Sequence, residues 1–108
     1  LLAARFPFVR LCDYGHWGDG GTHLNLVWGE AAAPLPHAEL VGALQDHVYE
    51  LAVVGHAGSY SAEHGVGPHN QRYYERFTAA EVRRLCDDLA ASLVPGGALG
   101  RVRLGTWA

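Results

Sequence analysis

A glycine-rich segment between two apolar stretches is the feature that most constrains how this chain can fold. Residues 15–21 read Gly-His-Trp-Gly-Asp-Gly-Gly, with four glycines in seven positions. Glycine adopts positive φ values at little cost, so this density predicts a tight chain reversal. Residues 5–11 are largely apolar and β-prone, and residues 23–28 alternate polar and apolar side chains. These patterns predict two strands joined as a hairpin, with His23 and Asn25 on one face.

The segment after the hairpin predicts an amphipathic helix over residues 40–52. Its apolar side chains recur at spacings of three and four, which places them on one face. They are Leu40, Val41, Leu44, Val48, Leu51 and Ala52. Pro34 and Pro36 precede the helix, and Gly55 is expected to end it.

The second half of the chain predicts further short elements. We expect a short strand at residues 58–62 and a glycine-bounded turn at residues 63–67. A second amphipathic helix is expected to begin at the capping-box sequence of residues 78–81 and to continue to Leu93. Residues 102–104 are expected to add an edge strand. Together these elements predict an α+β fold.

Composition predicts a single small domain over residues 1–108 and excludes several classes of protein. Apolar residues make up 49% of the chain and charged residues 18%, a balance typical of globular proteins. A net charge of −3 gives no support for a nucleic-acid surface. No apolar run approaches the roughly 20 residues of a membrane span, and the N-terminus lacks a signal-peptide pattern. A soluble, cytoplasmic protein is therefore expected.

Cysteine and methionine usage adds two expectations. Cys12 and Cys86 are far apart in the sequence and lack C-x-x-C spacing, so we expect both to be buried and reduced. The chain contains no methionine and begins with Leu1. We therefore expect it to be a fragment of a longer protein.

Three of the polar residues in the two glycine-rich turns form a candidate metal-ligand set. His16 and His23 flank the first reversal, which would bring their imidazoles together, and Glu63 in the second turn is a candidate carboxylate. Two imidazoles and one carboxylate hold a divalent transition metal while leaving positions open for water or substrate. Spacing alone favours a plainer alternative, in which His16 caps the turn and His23 is a solvated strand residue.

Three other polar residues leave alternatives open. His64, beside the candidate carboxylate, is either a general acid/base or an exposed loop histidine. Asn25 has a functional interpretation, in which it orients a ligand or contacts substrate. The alternative is that Asn25 is an exposed strand residue. Asp19 is assigned to the turn rather than to a metal, because Gly-Asp-Gly is an ordinary turn sequence.

Two ordered motifs resemble a known enzyme family. Residues 14–25 read Tyr-Gly-His-Trp-Gly-Asp-Gly-Gly-Thr-His-Leu-Asn, and residues 61–67 read Ser-Ala-Glu-His-Gly-Val-Gly. Together they resemble the C-terminal domain of the FAD-linked oxidases that act on D-lactate, glycolate and D-2-hydroxyglutarate, over nearly the whole chain. The resemblance implies a ferredoxin-like antiparallel sheet with helices packed on one face, as the C-terminal half of a cap domain.

The resemblance also implies a role for each motif residue. By motif position, His16, His23 and Glu63 hold a divalent ion, commonly zinc. His64 takes the proton from the substrate's 2-hydroxyl group as hydride leaves for FAD, and Asn25 lies close to the substrate. The implied enzyme is a dehydrogenase that oxidises a D-2-hydroxy acid to the 2-oxo acid. The residues that contact FAD are not identified.

The resemblance implies that the active site is completed by other parts of the protein. A flavin-binding domain, in the same or a partner chain, is absent from residues 1–108, so we expect this polypeptide alone to bind no FAD and to be inactive. An isolated half of the cap could pair as a homodimer that covers its exposed sheet.

The chain departs from the family pattern at three places. Gly21 and Thr22 stand where Asn-Leu is usual, Asn70 stands where a lysine is common, and residues 100–103 replace a closing Asn-Pro-Gly-Lys. Two other functions therefore stay open. One is a degenerate, non-catalytic metal-binding or dimerisation module, and the other is a structural domain in which the histidines are incidental.

Overall fold

The computed structural model describes residues 2–94 and residue 96. The chain forms two compact units, Leu1–Ala62 and Glu63–Ala108. The first unit contains helix α1 (Leu2–Arg5), strand β1 (Arg10–Tyr14), strand β2 (His23–Val27) and helix α2 (His37–Glu50). The second contains helix α3 (Gln71–Phe77) and helix α4 (Ala80–Leu93). This combination of an antiparallel sheet and helices confirms the predicted α+β class.

Strands β1 and β2 form the predicted antiparallel hairpin. The register pairs Arg10 with Val27 at one end and Tyr14 with His23 at the other. Directly paired residues of an antiparallel sheet lie on the same face. We call the face that includes these four residues the outer face. It carries Arg10, Cys12, Tyr14, His23, Asn25 and Val27. The expectation that His23 and Asn25 share a face is therefore confirmed.

The first strand begins later than predicted. We expected it over residues 5–11, but β1 begins at Arg10 and continues to Tyr14. Pro7 has no backbone N–H to give to a sheet, and the Val9 N–H donates to the Phe6 carbonyl oxygen at 3.1 Å. The chain therefore turns before it becomes extended, and the apolar residues of this segment fill the core.

The core of the first unit lies between α2 and the hairpin. Phe6, Leu40 and Leu44 are buried, and the partly buried Leu26 and Trp28 pack against them. Leu26 lies on the sheet face opposite His23 and Asn25 because strand residues alternate between faces. The core therefore includes Leu26 from this face, whereas Leu11 and Leu24 on the same face are exposed.

Helix α2 confirms the predicted amphipathic helix, and a π-helical turn, Leu51–Gly55, follows it. The chain then turns sharply. Ala57 has a left-handed φ of 52°, and the Gly58 N–H donates to the Ala52 carbonyl oxygen at 2.7 Å. A Cβ on Gly58 would lie 3.0 Å from that same oxygen, so the close approach requires glycine.

The strand predicted at residues 58–62 is wrong, because the chain bends there instead. The Ser59 hydroxyl donates to the Ser61 carbonyl oxygen at 2.8 Å and accepts from the Ser61 N–H at 3.0 Å. Such local bonds between side chain and backbone compete with the hydrogen bonds of a sheet. They account for a bend in a sequence whose composition is compatible with a strand.

The second unit contains one predicted and one unpredicted helix. Helix α4 is confirmed, although it begins at Ala80 with Ala79 as its N-cap, one residue after the Thr78 that begins the capping-box sequence. Thr78 instead ends α3, where its N–H donates to the Tyr74 carbonyl oxygen at 3.0 Å. Helix α3 was not predicted, and its Tyr73 and Tyr74 are buried. The edge strand predicted at residues 102–104 lies outside the described residues.

Two further expectations concern burial and membranes. Cys12 is exposed on the outer face and Cys86 is half-buried, so the expectation that both are buried is wrong, although both are free thiols. Cys12 is exposed because its side chain lies on the outer face, away from the core.

Across the described part of the chain, no helix has the length and apolar character needed to cross a membrane.

Candidate functional site

The loop between β1 and β2 is closed at its base by a glycine contact and a hydrogen bond. Gly15 has a φ of 152°, and a Cβ on it would lie 3.0 Å from the Gly21 carbonyl oxygen. The absence of that Cβ lets the two ends of the loop meet. The Thr22 Oγ1 also donates to the Tyr14 carbonyl oxygen at 3.4 Å. These contacts confirm the predicted tight reversal.

The tip of this loop is a single 3₁₀ turn, Trp17–Asp19, followed by Gly20 with a left-handed φ of 82°. The Asp19 Oδ1 accepts from the Gly21 N–H at 3.0 Å. This bond confirms that Asp19 serves the turn. His16 precedes the turn without a side-chain cap. His16 therefore stands at the N-cap position and accepts the Asp19 N–H through its carbonyl oxygen at 3.1 Å, but its exposed imidazole does not cap the turn.

The second loop histidine is stacked on an aromatic ring. The Tyr14 and His23 rings have centroids 5.1 Å apart and planes 21° apart. Both side chains lie on the outer face, at the last residue pair before the loop. The Asn25 Nδ2 donates to the His23 carbonyl oxygen at 3.4 Å. His23 and Asn25 are exposed, so the face that carries them is accessible to a ligand.

The second polar centre is the glycine-bounded turn predicted at residues 63–67. Gly65 and Gly67 have left-handed φ values of 65° and 56°, which confirms this turn. The His64 Nε2 lies 3.3 Å from the Glu63 Oε1, and the two side chains are 88% and 51% exposed. The Asn70 Nδ2 donates back to the Gly65 carbonyl oxygen at 3.5 Å. This turn therefore presents an imidazole and a carboxylate side by side.

The predicted site residues are divided between the two units. His16, His23 and Asn25 belong to Leu1–Ala62, whereas Glu63 and His64 belong to Glu63–Ala108. Within residues 2–94 and residue 96, no three His, Cys, Asp or Glu side chains form a group that could hold a metal ion. The ligand set of two histidines and one carboxylate therefore stays a prediction.

Two residues near the site had no role in the sequence predictions. Tyr14 contacts His23. The predicted hairpin could have indicated this contact, because the residue that ends β1 lies opposite the residue that begins β2. Asn70 was noted only as a departure from a motif, yet its backbone N–H and its amide both bond to the turn after His64, at the Val66 and Gly65 carbonyl oxygens. Neither contact follows from residue type alone.

Comparisons with known proteins agree with the two motifs. The family model "FAD linked oxidases, C-terminal domain" matches residues 1–102. The chain is 40% identical over 95 residues to the mitochondrial D-2-hydroxyglutarate dehydrogenase of Bos taurus, which covers 88% of this chain and 16% of the relative. It is 34% identical over 94 residues to the D-2-hydroxyglutarate–pyruvate transhydrogenase DLD3 of Saccharomyces cerevisiae, covering 86% of this chain and 18% of the relative.

A bacterial relative shows a similar level of identity. The D-2-hydroxyglutarate dehydrogenase of Stutzerimonas stutzeri is 32% identical over 75 residues, or 69% of this chain and 16% of the relative. The chain thus spans less than a fifth of the length of the relatives it matches. No solved structure matches it significantly. The match over residues 1–102 is decisive: the chain belongs to the C-terminal domain family of the FAD-linked oxidases.

Proposed function

We propose that this chain is the substrate- and metal-site portion of a flavin-dependent dehydrogenase that oxidises a D-2-hydroxy acid to the 2-oxo acid. The observation that carries the proposal is the family match over residues 1–102. The names of the relatives in Bos taurus and Saccharomyces cerevisiae both contain D-2-hydroxyglutarate. A small 2-hydroxy acid with a carboxylate is therefore the proposed substrate class.

His16, His23 and Glu63 are the proposed ligands of a divalent metal, with zinc as the first choice. The chemistry of this donor set fits such an ion, because two imidazoles and a carboxylate bind it and leave positions open. The two motifs that carry these residues and the family match over residues 1–102 support the assignment. When bound, a divalent ion lowers the pKa of a coordinated hydroxyl group and orients the substrate.

His64 is the proposed proton acceptor. An Nε2–H that faces the Glu63 carboxylate, 3.3 Å away, leaves the His64 Nδ1 lone pair to take a proton. In the proposed reaction the substrate's O–H proton passes to His64, the C2–H bond breaks and a carbonyl group forms. A bound flavin supplies the hydride acceptor. Asn25 would contact the substrate from the outer face.

Zinc titration of the purified chain tests the metal assignment. We expect His16→Ala, His23→Ala and Glu63→Gln each to weaken zinc binding about tenfold or more, because each removes a ligand. His56→Ala is the matched control, since His56 is exposed in the same unit as the two histidine ligands but outside the two motifs. Equal zinc affinity for the wild type and the three ligand variants would exclude this metal site.

The isolated chain is expected to bind no FAD and to have no dehydrogenase activity. The physical reason is size: the chain spans 16 to 18% of the relatives in Bos taurus and Saccharomyces cerevisiae, and a flavin needs a dedicated binding fold. The measurement is the absorption spectrum of the protein after incubation with FAD and removal of free flavin. A retained yellow flavin spectrum would show that this expectation is wrong.

A non-catalytic metal-binding or dimerisation module is the second candidate, and Asn70 is the observation that favours it. This residue replaces a lysine common in the family, and its amide closes the loop after His64 rather than offering a charge to substrate. The exposed residues Tyr14 and Val27, both on the outer face of the hairpin, support pairing with a second copy. A monomer mass in light scattering would contradict the dimer.

The remaining partner and location are also proposals. A flavin-binding domain, in the same or a partner chain, is the partner that the proposed reaction requires. A cytoplasmic location stays a prediction, and the name of the Bos taurus relative places that protein in mitochondria. Fractionation of cells that express the native protein would decide between the two compartments.

A further inference from the structure

Helix α4 turns its most apolar row of side chains toward solvent. Four residues at spacings of three and four form this row, which we call the α4 stripe: Val82, Leu85, Leu89 and Leu93. Their exposed fractions are 49%, 59%, 51% and 77%. An amphipathic helix ordinarily packs such a row against a core. A row that stays exposed therefore indicates a surface for a partner.

The half-buried side of α4 is a different one. It lies about 100° around the helix from the α4 stripe, and its residues are Arg83, Cys86, Asp87 and Ala90. Two of these residues are charged and the other two are small. The helix therefore buries polar and small side chains in part, and it leaves its aliphatic side chains outside.

The α4 stripe is too small to hold two separate copies of the chain together. Its four aliphatic side chains are about half to three-quarters exposed, so they offer roughly 400 Å² of surface. A stable interface between separate proteins takes about 800 Å² from each partner. Docking within one polypeptide needs less surface, because the covalent connection keeps the partner at a high effective concentration. The area therefore favours a covering surface that belongs to the same protein.

The lengths of the relatives leave room for such a surface. The chain spans 16% of the Bos taurus relative and 18% of the Saccharomyces cerevisiae relative. More than four-fifths of each relative therefore lies outside the matched segment. The matched family is a C-terminal domain of FAD-linked oxidases, and the proposed reaction requires a flavin-binding domain beside it.

We propose that the α4 stripe docks on an apolar surface of the flavin-binding domain of the same protein. The inference rests on the proposed function, because that function names the flavin-binding domain as the partner. Leu85 and Leu89 lie in the middle of the stripe, where the residues on which an interface depends most are usually found. Arg84, on the opposite side of the helix, stays in contact with solvent.

Hydrogen exchange of the α4 backbone tests the inference. The two proteins compared are the isolated 108-residue chain and a chimera in which residues 1–108 replace the matching segment of the Bos taurus relative. A covered helix opens less often than an uncovered one, so its amides exchange more slowly. We expect the amides of α4 to exchange at least about tenfold more slowly in the chimera than in the isolated chain.

Leu85→Ser and Leu89→Ser should each remove most of this added protection, because a hydroxyl group in the middle of the stripe opposes apolar docking. Arg84→Ser is the matched control. Arg84 is 67% exposed, and arginine and leucine have similar helix propensities, so the control matches the intrinsic cost of serine. Its chimera should keep the protection within about twofold. Circular dichroism of the isolated chain would verify that all three variants keep their helices.

Equal exchange of α4 in the isolated chain and in an FAD-loaded chimera would overturn the inference, and so would added protection that both leucine variants retain. Analytical ultracentrifugation of the isolated chain gives a test without the chimera. A dimer that Leu89→Ser dissociates would assign the stripe to a second copy and overturn the inference. None of these readouts needs catalysis. A chimera that protects α4 but is not reduced by substrate would contradict the proposed function and leave the docking surface standing.

Discussion

At the scale of single residues, the loop that carries His16 depends on the absence of one side chain. Gly15 approaches the Gly21 carbonyl oxygen so closely that a Cβ would lie 3.0 Å from it, and its φ is 152°. Gly18, in the same loop, has no neighbour within 4 Å of an added Cβ. The two glycines therefore have different functions, although the sequence makes them look alike.

Gly15→Ala should destabilise the chain by about 1–3 kcal/mol, because the new Cβ meets backbone and the φ value disfavours any side chain. Gly18→Ala should change the free energy of unfolding by no more than about 0.5 kcal/mol. Urea unfolding of both variants measures the difference. Equal losses in the two variants would mean that the close approach at Gly15 does not hold the loop.

The site residues illustrate how far residue-level inference reaches. The shared face of His23 and Asn25 was predictable, because strand residues alternate strictly between faces. The turn role of Asp19 was predictable from Gly-Asp-Gly. The stack of Tyr14 on His23 was not, because it depends on the register of pairing, and the predicted first strand began at residue 5 rather than at Arg10.

At the scale of elements, the two long helices differ in what covers their apolar faces. Helix α2 buries Leu40 and Leu44 in the core of the first unit. Helix α4 has no buried residue. Its exposed apolar residues are Val82, Leu85, Leu89 and Leu93. The same periodicity predicted both helices, but it does not tell whether an apolar face is covered.

Leu44→Ala and Leu85→Ala compare the two helices with the same substitution. Leu44 is 2% exposed and Leu85 is 59% exposed. Loss of the buried side chain should cost about 2–5 kcal/mol, and loss of the exposed one about 0.5 kcal/mol or less. Thermal and urea unfolding of the 108-residue chain provide the values. A cost at Leu85 as large as that at Leu44 would show that α4 is covered in solution.

Predictability of the elements follows the range of the interactions that form them. The hairpin and both long helices follow from glycine density and apolar periodicity, which are local signals. The bend at Ser59 and the missing side-chain cap at Ala79 depend on which of several local hydrogen bonds forms. Helix α3, only seven residues long, is too short for its periodicity to be informative.

At the scale of the whole molecule, the family of the chain is established, and the roles of its site residues are proposals that rest on this family. The two polar centres lie in separate compact units, and the ligand set that combines them stays a prediction. The sequence motifs identified the family, because two ordered motifs are far more specific than one pair of histidines. The chain spans only 16% of its Bos taurus relative, so the proposed reaction requires residues beyond these 108.

The most direct test of the proposed function is a chimera in which residues 1–108 replace the matching C-terminal segment of the Bos taurus relative. Anaerobic reduction of its bound flavin by D-2-hydroxyglutarate is the measurement. We predict that the FAD-loaded chimera is reduced, and that His16→Ala, His23→Ala or His64→Ala slows reduction at least about a hundredfold. An FAD-loaded chimera that substrate cannot reduce, or one that these substitutions leave unimpaired, would contradict the account.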